Sequence, residues 1–168
     1  MTAVDLTPAY VEIGGRRRVK LSRQRGWRKP EGTVTVARPS HWGNFYAVDR
    51  NKVYAETKHG RGWQRVGPEI VVVRVDPRGR RRVTDSTEYG GFTDKLDATR
   101  FAVDLYRRSL LGSWTGPDGA HFREWYLQGL AGHDLACWCP LATPDGDLWP
   151  CHANVLLEFI NEQWEAAA

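Results

Sequence analysis

With 168 residues the chain has room for one ordinary domain, and its 41% hydrophobic and 26% charged residues exclude a wholly disordered, collagen-like or coiled-coil polymer. No apolar run approaches the about 18 residues that span a bilayer, and the opening stretch lacks the basic start and apolar centre of a secretory signal, so no membrane partner is expected and a cytoplasmic location is. The formal charge of +4 is unevenly spread: within residues 1–30, Arg16, Arg17, Arg18, Lys20, Arg23, Arg25, Arg28 and Lys29 stand against only Asp5 and Glu12.

A basic segment attached to a near-neutral remainder suits a polyanion such as nucleic acid, because each neutralised phosphate releases counterions. The same composition also makes a solvated tail that aids solubility. Residues 1–17 are expected to form a basic, partly flexible arm and residues 18–165 a single domain. Along the chain, Arg18-Val19-Lys20-Leu21 and Thr33-Val34-Thr35-Val36-Ala37 read as short strands. The aromatic, glycine-bearing stretch 44–67 reads as loop, with a weak strand near Val53-Tyr54. Glu69-Ile70-Val71-Val72-Val73-Arg74-Val75 is a β-branched run suited to a central strand, and Arg81-Arg82-Val83-Thr84 is placed to pair with it across an Asp76-Pro77 turn. Arg78, Arg80, Arg81 and Arg82 read as a charged hairpin tip.

The second half is helical. Thr93 is a candidate N-cap for a helix from Asp94 to about Leu111, with Leu96, Phe101, Leu105, Tyr106 and Leu110 at helical spacing and Gly112 as its stop. A second helix is expected over 120–130, with Phe122, Trp125, Tyr126 and Leu130 as a core-packing aromatic face. His133-Asp134-Leu135-Ala136-Cys137-Trp138 reads as a strand, and Val155, Leu156, Phe159, Ile160 and Trp164 mark a closing helix that begins near Cys151 or His152. Strands followed by helix, helix, strand and helix predict an α/β (or α+β) fold, a small mixed sheet with about three helices packed against it in a Rossmann-like single domain.

All three cysteines, Cys137, Cys139 and Cys151, fall in one short window, too few and too local for a disulfide framework, and His152 follows the last of them. Residues two apart on a strand face one side, so Cys137 and Cys139 can present both sulfurs to one point while Trp138 turns into packing. If the chain returns to bring Cys151 and His152 alongside, three thiols and an imidazole form the ligand set of a closed tetrahedral zinc site. Successive helical side chains diverge by about 100°, which predicts that one of Cys151 and His152 stands aside. Two other readings stand beside the metal: Cys151 as a nucleophile at a helix N-terminus with His152 as its base, and three cysteines that simply fill apolar space.

The first strand pair ends in Arg38-Pro39-Ser40-His41-Trp42-Gly43-Asn44. There Arg38 suits a phosphate, Ser40 offers a hydroxyl, Trp42 can stack on a base and Asn44 can read a base edge, while the same residues can equally shape and anchor a turn. His41, His59, His121 and His133 have no partner identifiable from sequence and are read as surface or core residues.

Taken together, Leu21-Ser22-Arg23 with Gly26-Trp27-Arg28-Lys29-Pro30, Val36-Ala37-Arg38-Pro39-Ser40-His41-Trp42-Gly43-Asn44, and Leu135-Ala136-Cys137-Trp138-Cys139-Pro140 with Cys151-His152-Ala153-Asn154 resemble one family over most of residues 18–161. It is the uncharacterised phage and bacterial family numbered four-three-two-six among the domains of unknown function. The resemblance implies a compact α/β domain whose motifs meet at one site, and it supplies no activity. Two functions follow as expectations. In the first, a nucleotide or nucleic acid is bound or processed where Arg38, Ser40, Trp42 and Asn44 meet Cys137, Cys139, Cys151 and His152, with Cys151 and His152 as the catalytic pair. The second is a non-enzymatic, zinc-stabilised module that binds nucleic acid or a host protein through its basic arm.

Overall fold

The computed structural model describes residues 6–49, 52–55, 71–75, 81–86, 92, 94–114 and 118–167. Asp76-Pro77 with Arg78 and Arg80, the stretch 56–70 and the cap at Thr93 lie outside the described residues. In chain order the elements are β1 (Tyr10–Ile13), β2 (Arg16–Lys20), β3 (Thr33–Thr35), β4 (Tyr46–Asp49), β5 (Lys52–Ala55), β6 (Val71–Val75), β7 (Arg81–Ser86), α1 (Lys95–Trp114), α2 (Gly119–Gln128), β8 (Asp134–Cys137) and α3 (His152–Ala167). A four-stranded mixed sheet and three helices make this an α/β fold. None of the described helices is long and apolar enough to cross a membrane. The chain divides into two compact units, Met1–Gly43 with Ser113–Ala168, and Asn44–Gly112.

In the first unit the sheet order is β1-β2-β8-β3. β1 and β2 form an antiparallel hairpin with Ile13 opposite Arg16, closed by Gly14 and Gly15 at φ 56° and 76°. Two successive positive φ values are what a tight primed hairpin turn requires, and glycine adopts them without steric cost. β8 lies between β2 and β3 and runs parallel to both, so Leu135 faces Arg18 on one side and Val34 on the other. A strand enclosed on both edges reads as an unbroken apolar run, and Leu135 and Ala136 are fully buried. Because β2 and β3 are both parallel to β8, residues 21–32 cross from the end of one strand to the start of the other. α3 packs against β8, β1 and β2, and its opening turns are buried from His152 to Leu157.

The second unit pairs β4 with β5 and β6 with β7 as antiparallel ladders. Val53, Ala98, Ala102 and Leu105 form its core, with Tyr46, Val48, Phe92 and Phe101 packed against them. α1 is capped by Asp94, whose Oδ1 accepts the Asp97 backbone N–H at 2.8 Å.

The structure corrects several expectations. Among the described residues the Val71–Val75 run pairs with β7 alone, and the strand enclosed on both edges is the shorter β8. β-branching favours an extended backbone and carries no information on how many neighbours a strand acquires. Gly112 does not stop α1, which continues to Trp114. Tyr126 and Leu130 are buried as the aromatic face predicts, whereas Phe122 and Trp125 are exposed. β1 and β4 were not foreseen.

Candidate metal centre

Cys137 closes β8, Cys139 follows two residues later, Cys151 immediately precedes α3 and His152 is its first residue. The Cys137 and Cys139 sulfurs are 3.5 Å apart, and the Cys151 sulfur lies 3.9 Å from His152 Nδ1. The ligand atoms of all four residues lie within 4.8 Å of one another. Four ligands on a tetrahedron about 2.3 Å from a central zinc would sit about 3.8 Å apart, so the spacing of these side chains is compatible with a shared metal ion. The expectation that Cys151 or His152 stands aside is overturned: Cys151 is outside the helix, with its carbonyl accepting the Asn154 N–H at 3.0 Å, so the angular spacing of successive helical residues does not separate the pair. Trp138 does turn away from the sulfurs, yet it is 45% exposed instead of packed.

The return of the chain from Cys139 to Cys151 is built by backbone pairing. Thr143 N–H donates to Asp147 O at 2.8 Å, Trp149 N–H donates to Leu141 O at 3.0 Å, and Ala142 bridges Leu148. The Thr143 hydroxyl oxygen accepts the Asp147 N–H at 3.1 Å. This narrow loop takes the chain out and back over residues 140–150 and so delivers Cys151 beside the strand end.

Two groups that sequence reasoning missed complete the arrangement. His152 Nε2 lies 2.9 Å from the Val36 carbonyl. A carbonyl can only accept, so Nε2 bears the proton and Nδ1 keeps its lone pair on the cysteine side, the tautomer a metal requires. Arg18, assigned above to a polyanion-binding segment, is instead fully buried. Its guanidinium donates from both terminal nitrogens to Pro140 O at 3.0 Å and reaches Leu141 O at 3.3 Å, bracing the start of the loop. Neither group has a sequence signal: one is a backbone carbonyl, and the other is the third of three consecutive arginines.

The electrostatics have a single cause, three sulfurs in contact. Hydrogen bonds from Cys139 and then Cys151 hold Cys137 far below the ordinary thiol range, overriding the opposing effect of burial. The corresponding bond to Cys137 pushes Cys139 up to about 12 and Cys151 well above its usual value, with burial adding to both. The contact thus favours the thiolate at Cys137 and the protonated thiol at Cys139 and Cys151. A divalent metal would release the remaining protons and take all three as thiolates.

The loop 38–44 is differently organised. Arg38 is exposed, and its peptide to Pro39 is cis. Ser40 N–H donates to Ala37 O and Gly43 N–H to Ser40 O, both at 3.0 Å, giving two successive turns. A Cβ on Gly43 would come 2.6 Å from Arg38 Cγ and 3.1 Å from the Arg38 backbone, so a side chain here would require Arg38 to shift. The Ser40 hydroxyl is buried without a hydrogen-bond partner. Trp42 Nε1 donates to Tyr126 O at 2.8 Å, and the Tyr126 hydroxyl donates to His41 O at 3.1 Å. Asn44 belongs to the second unit, where its Oδ1 accepts the Tyr46 N–H and its Nδ2 donates to Ala102 O.

No curated protein and no solved structure matches the chain. One family does, over residues 55–162, a span that takes in Cys137, Cys139, Cys151 and His152 and leaves out the loop 38–44. The chain belongs to that family, described as Domain of unknown function (DUF4326).

Proposed function

We propose that this chain is a non-enzymatic, zinc-stabilised α/β module in which Cys137, Cys139, Cys151 and His152 hold one structural zinc ion. The observation that carries this reading is the convergence of four ligand atoms within 4.8 Å while His152 Nε2 is engaged by Val36. Three thiolates with one imidazole are a soft, tetrahedral set that suits zinc. All four positions are protein ligands, which leaves no open corner for a water or substrate, as in structural rather than catalytic sites. The bound ion would link the end of β8, the loop over 140–150 and the start of α3, and reduced thiolate ligands suit the cytoplasm.

A nucleophilic Cys151 is less well supported, because a working thiolate must be accessible and ionised. Cys151 is 1% exposed and its thiol is held protonated. A nucleotide site at the loop 38–44 draws little support from Trp42 and Asn44, whose polar atoms are engaged by Tyr126, Tyr46 and Ala102. The test is elemental analysis of freshly purified protein together with thiol titration. About one zinc per chain is expected, with all three thiols unreactive until a chelator is added. Metal-free protein whose cysteines react at once with a thiol reagent would overturn the reading.

A further inference from the structure

Of the eight basic residues near the N-terminus, the first three are engaged within the protein. Arg16 donates to the Gly132 carbonyl, Arg17 Nε is paired with Asp134 at 2.7 Å, and Arg18 is buried against Pro140. The crossover from β2 to β3 is different. Arg23, Arg25, Arg28 and Lys29 are all exposed along it, and neither Arg25 nor Arg28 has an acidic partner among the described residues. Cations gathered on one exposed segment raise the local positive potential, which attracts polyanions.

A second, independent feature lies beside them. Trp138 is 45% exposed, although tryptophan is a residue that folding ordinarily places inside. Its position between Cys137 and Cys139 turns the indole outward from the sulfurs, and the Arg23 guanidinium lies 5.0 Å above the ring centroid. Pairing at this end of the sheet continues beyond β2, with Leu21 N–H donating to Cys137 O at 2.9 Å, so the crossover begins next to the exposed ring. The crossover is itself shaped: Trp27 N–H donates to Gln24 O at 3.1 Å, and Lys29 Nζ reaches Thr35 Oγ1 at 3.3 Å.

We infer that Arg23, Arg25, Arg28, Lys29 and Trp138 form a binding surface for single-stranded nucleic acid, with the cations following the phosphates and the indole stacking on a base. An acidic peptide would meet the charges and leave the ring unused; a duplex would keep its bases stacked inside, away from the indole. A flat exposed ring flanked by cations is the combination that single strands use without sequence preference. The inference goes beyond the zinc reading and touches it at one point, since ligation of Cys137 and Cys139 would hold Trp138 in place.

The test uses the full-length, metal-replete protein and fluorescence anisotropy with labelled oligodeoxythymidylate of about 16 nucleotides, a length within the range of single-strand sites. Binding is expected to weaken with added salt, with a log–log slope of about −2 for about three phosphate contacts on a single strand. Arg25→Glu with Arg28→Glu should bring that slope close to zero. Trp138→Ala should weaken binding about tenfold while Trp138→Phe retains most of it, each compared at equal zinc content. Three results would overturn the inference: no binding at low salt, equal affinity for the matching duplex with no effect of Trp138→Ala, or displacement by polyglutamate as readily as by unlabelled oligonucleotide. Zinc content is measured on the same samples, so failure here is distinct from failure of the metal reading.

Discussion

Arg18 shows how little a side chain's identity says about its use. In a run of three arginines it counts as positive surface, yet it is buried with its guanidinium on the Pro140 and Leu141 carbonyls. Burying that charge is unfavourable unless hydrogen bonds and an opposite charge compensate it. The carbonyls supply the first, and the cysteine cluster supplies the second, since Arg18 lowers the proton affinity of the Cys139 thiol. A zinc ion held by three thiolates and a neutral imidazole would carry one net negative charge, which the guanidinium would offset. Arg18→Met should therefore lower stability by about 3 kcal/mol, leaving buried carbonyls unpaired. The loss should be larger in metal-loaded protein than in chelated protein, as read by urea unfolding of both forms. Arg18→Lys keeps the charge without the two-pronged geometry and should fall between.

The three helices and most of the strands followed from periodicity; β1, β4, element boundaries and neighbours did not. Leu105, Tyr106 and Leu110 lie buried along α1 at the spacing that the sequence displays. The cap is local chemistry: a carboxylate at Asp94 accepts the Asp97 N–H and stabilises the positive end of the helix. Asp94→Ala should cost about 1 kcal/mol, with earlier loss of α1 hydrogen-exchange protection and little change in β8. Strand β8 was legible as an apolar segment, but its enclosure between β2 and β3 depends on partners more than a hundred residues away. The exposure of Phe122 and Trp125 on α2 was illegible for the same reason, because a helical stripe shows which residues share a face and not whether anything covers it.

At the scale of the whole molecule, metal affinity becomes folding free energy wherever the ligands converge only when the chain folds. Removing the metal with a chelator should lower the midpoint of thermal unfolding and release protection in β8 and α3 first. Acid should act in the same direction. Protons compete with the metal for the three thiolates, so the added stability is present at neutral pH and is lost as the solution is made acidic. The check is thermal unfolding from neutral to acid pH with and without chelator; the two curves should converge at the acid end.

By itself the amino-acid order determined the α/β class, most of the elements and the four side chains that could hold a metal, because periodicity and ligand chemistry are local properties. Tertiary structure alone decided that Cys151 and His152 both lie beside Cys137 and Cys139, that His152 Nε2 meets the Val36 carbonyl and that Arg18 lies inside while Trp138 lies outside. Those outcomes depend on which backbone atoms and which charges meet after the chain has crossed the sheet, and no spacing along the polymer encodes such meetings.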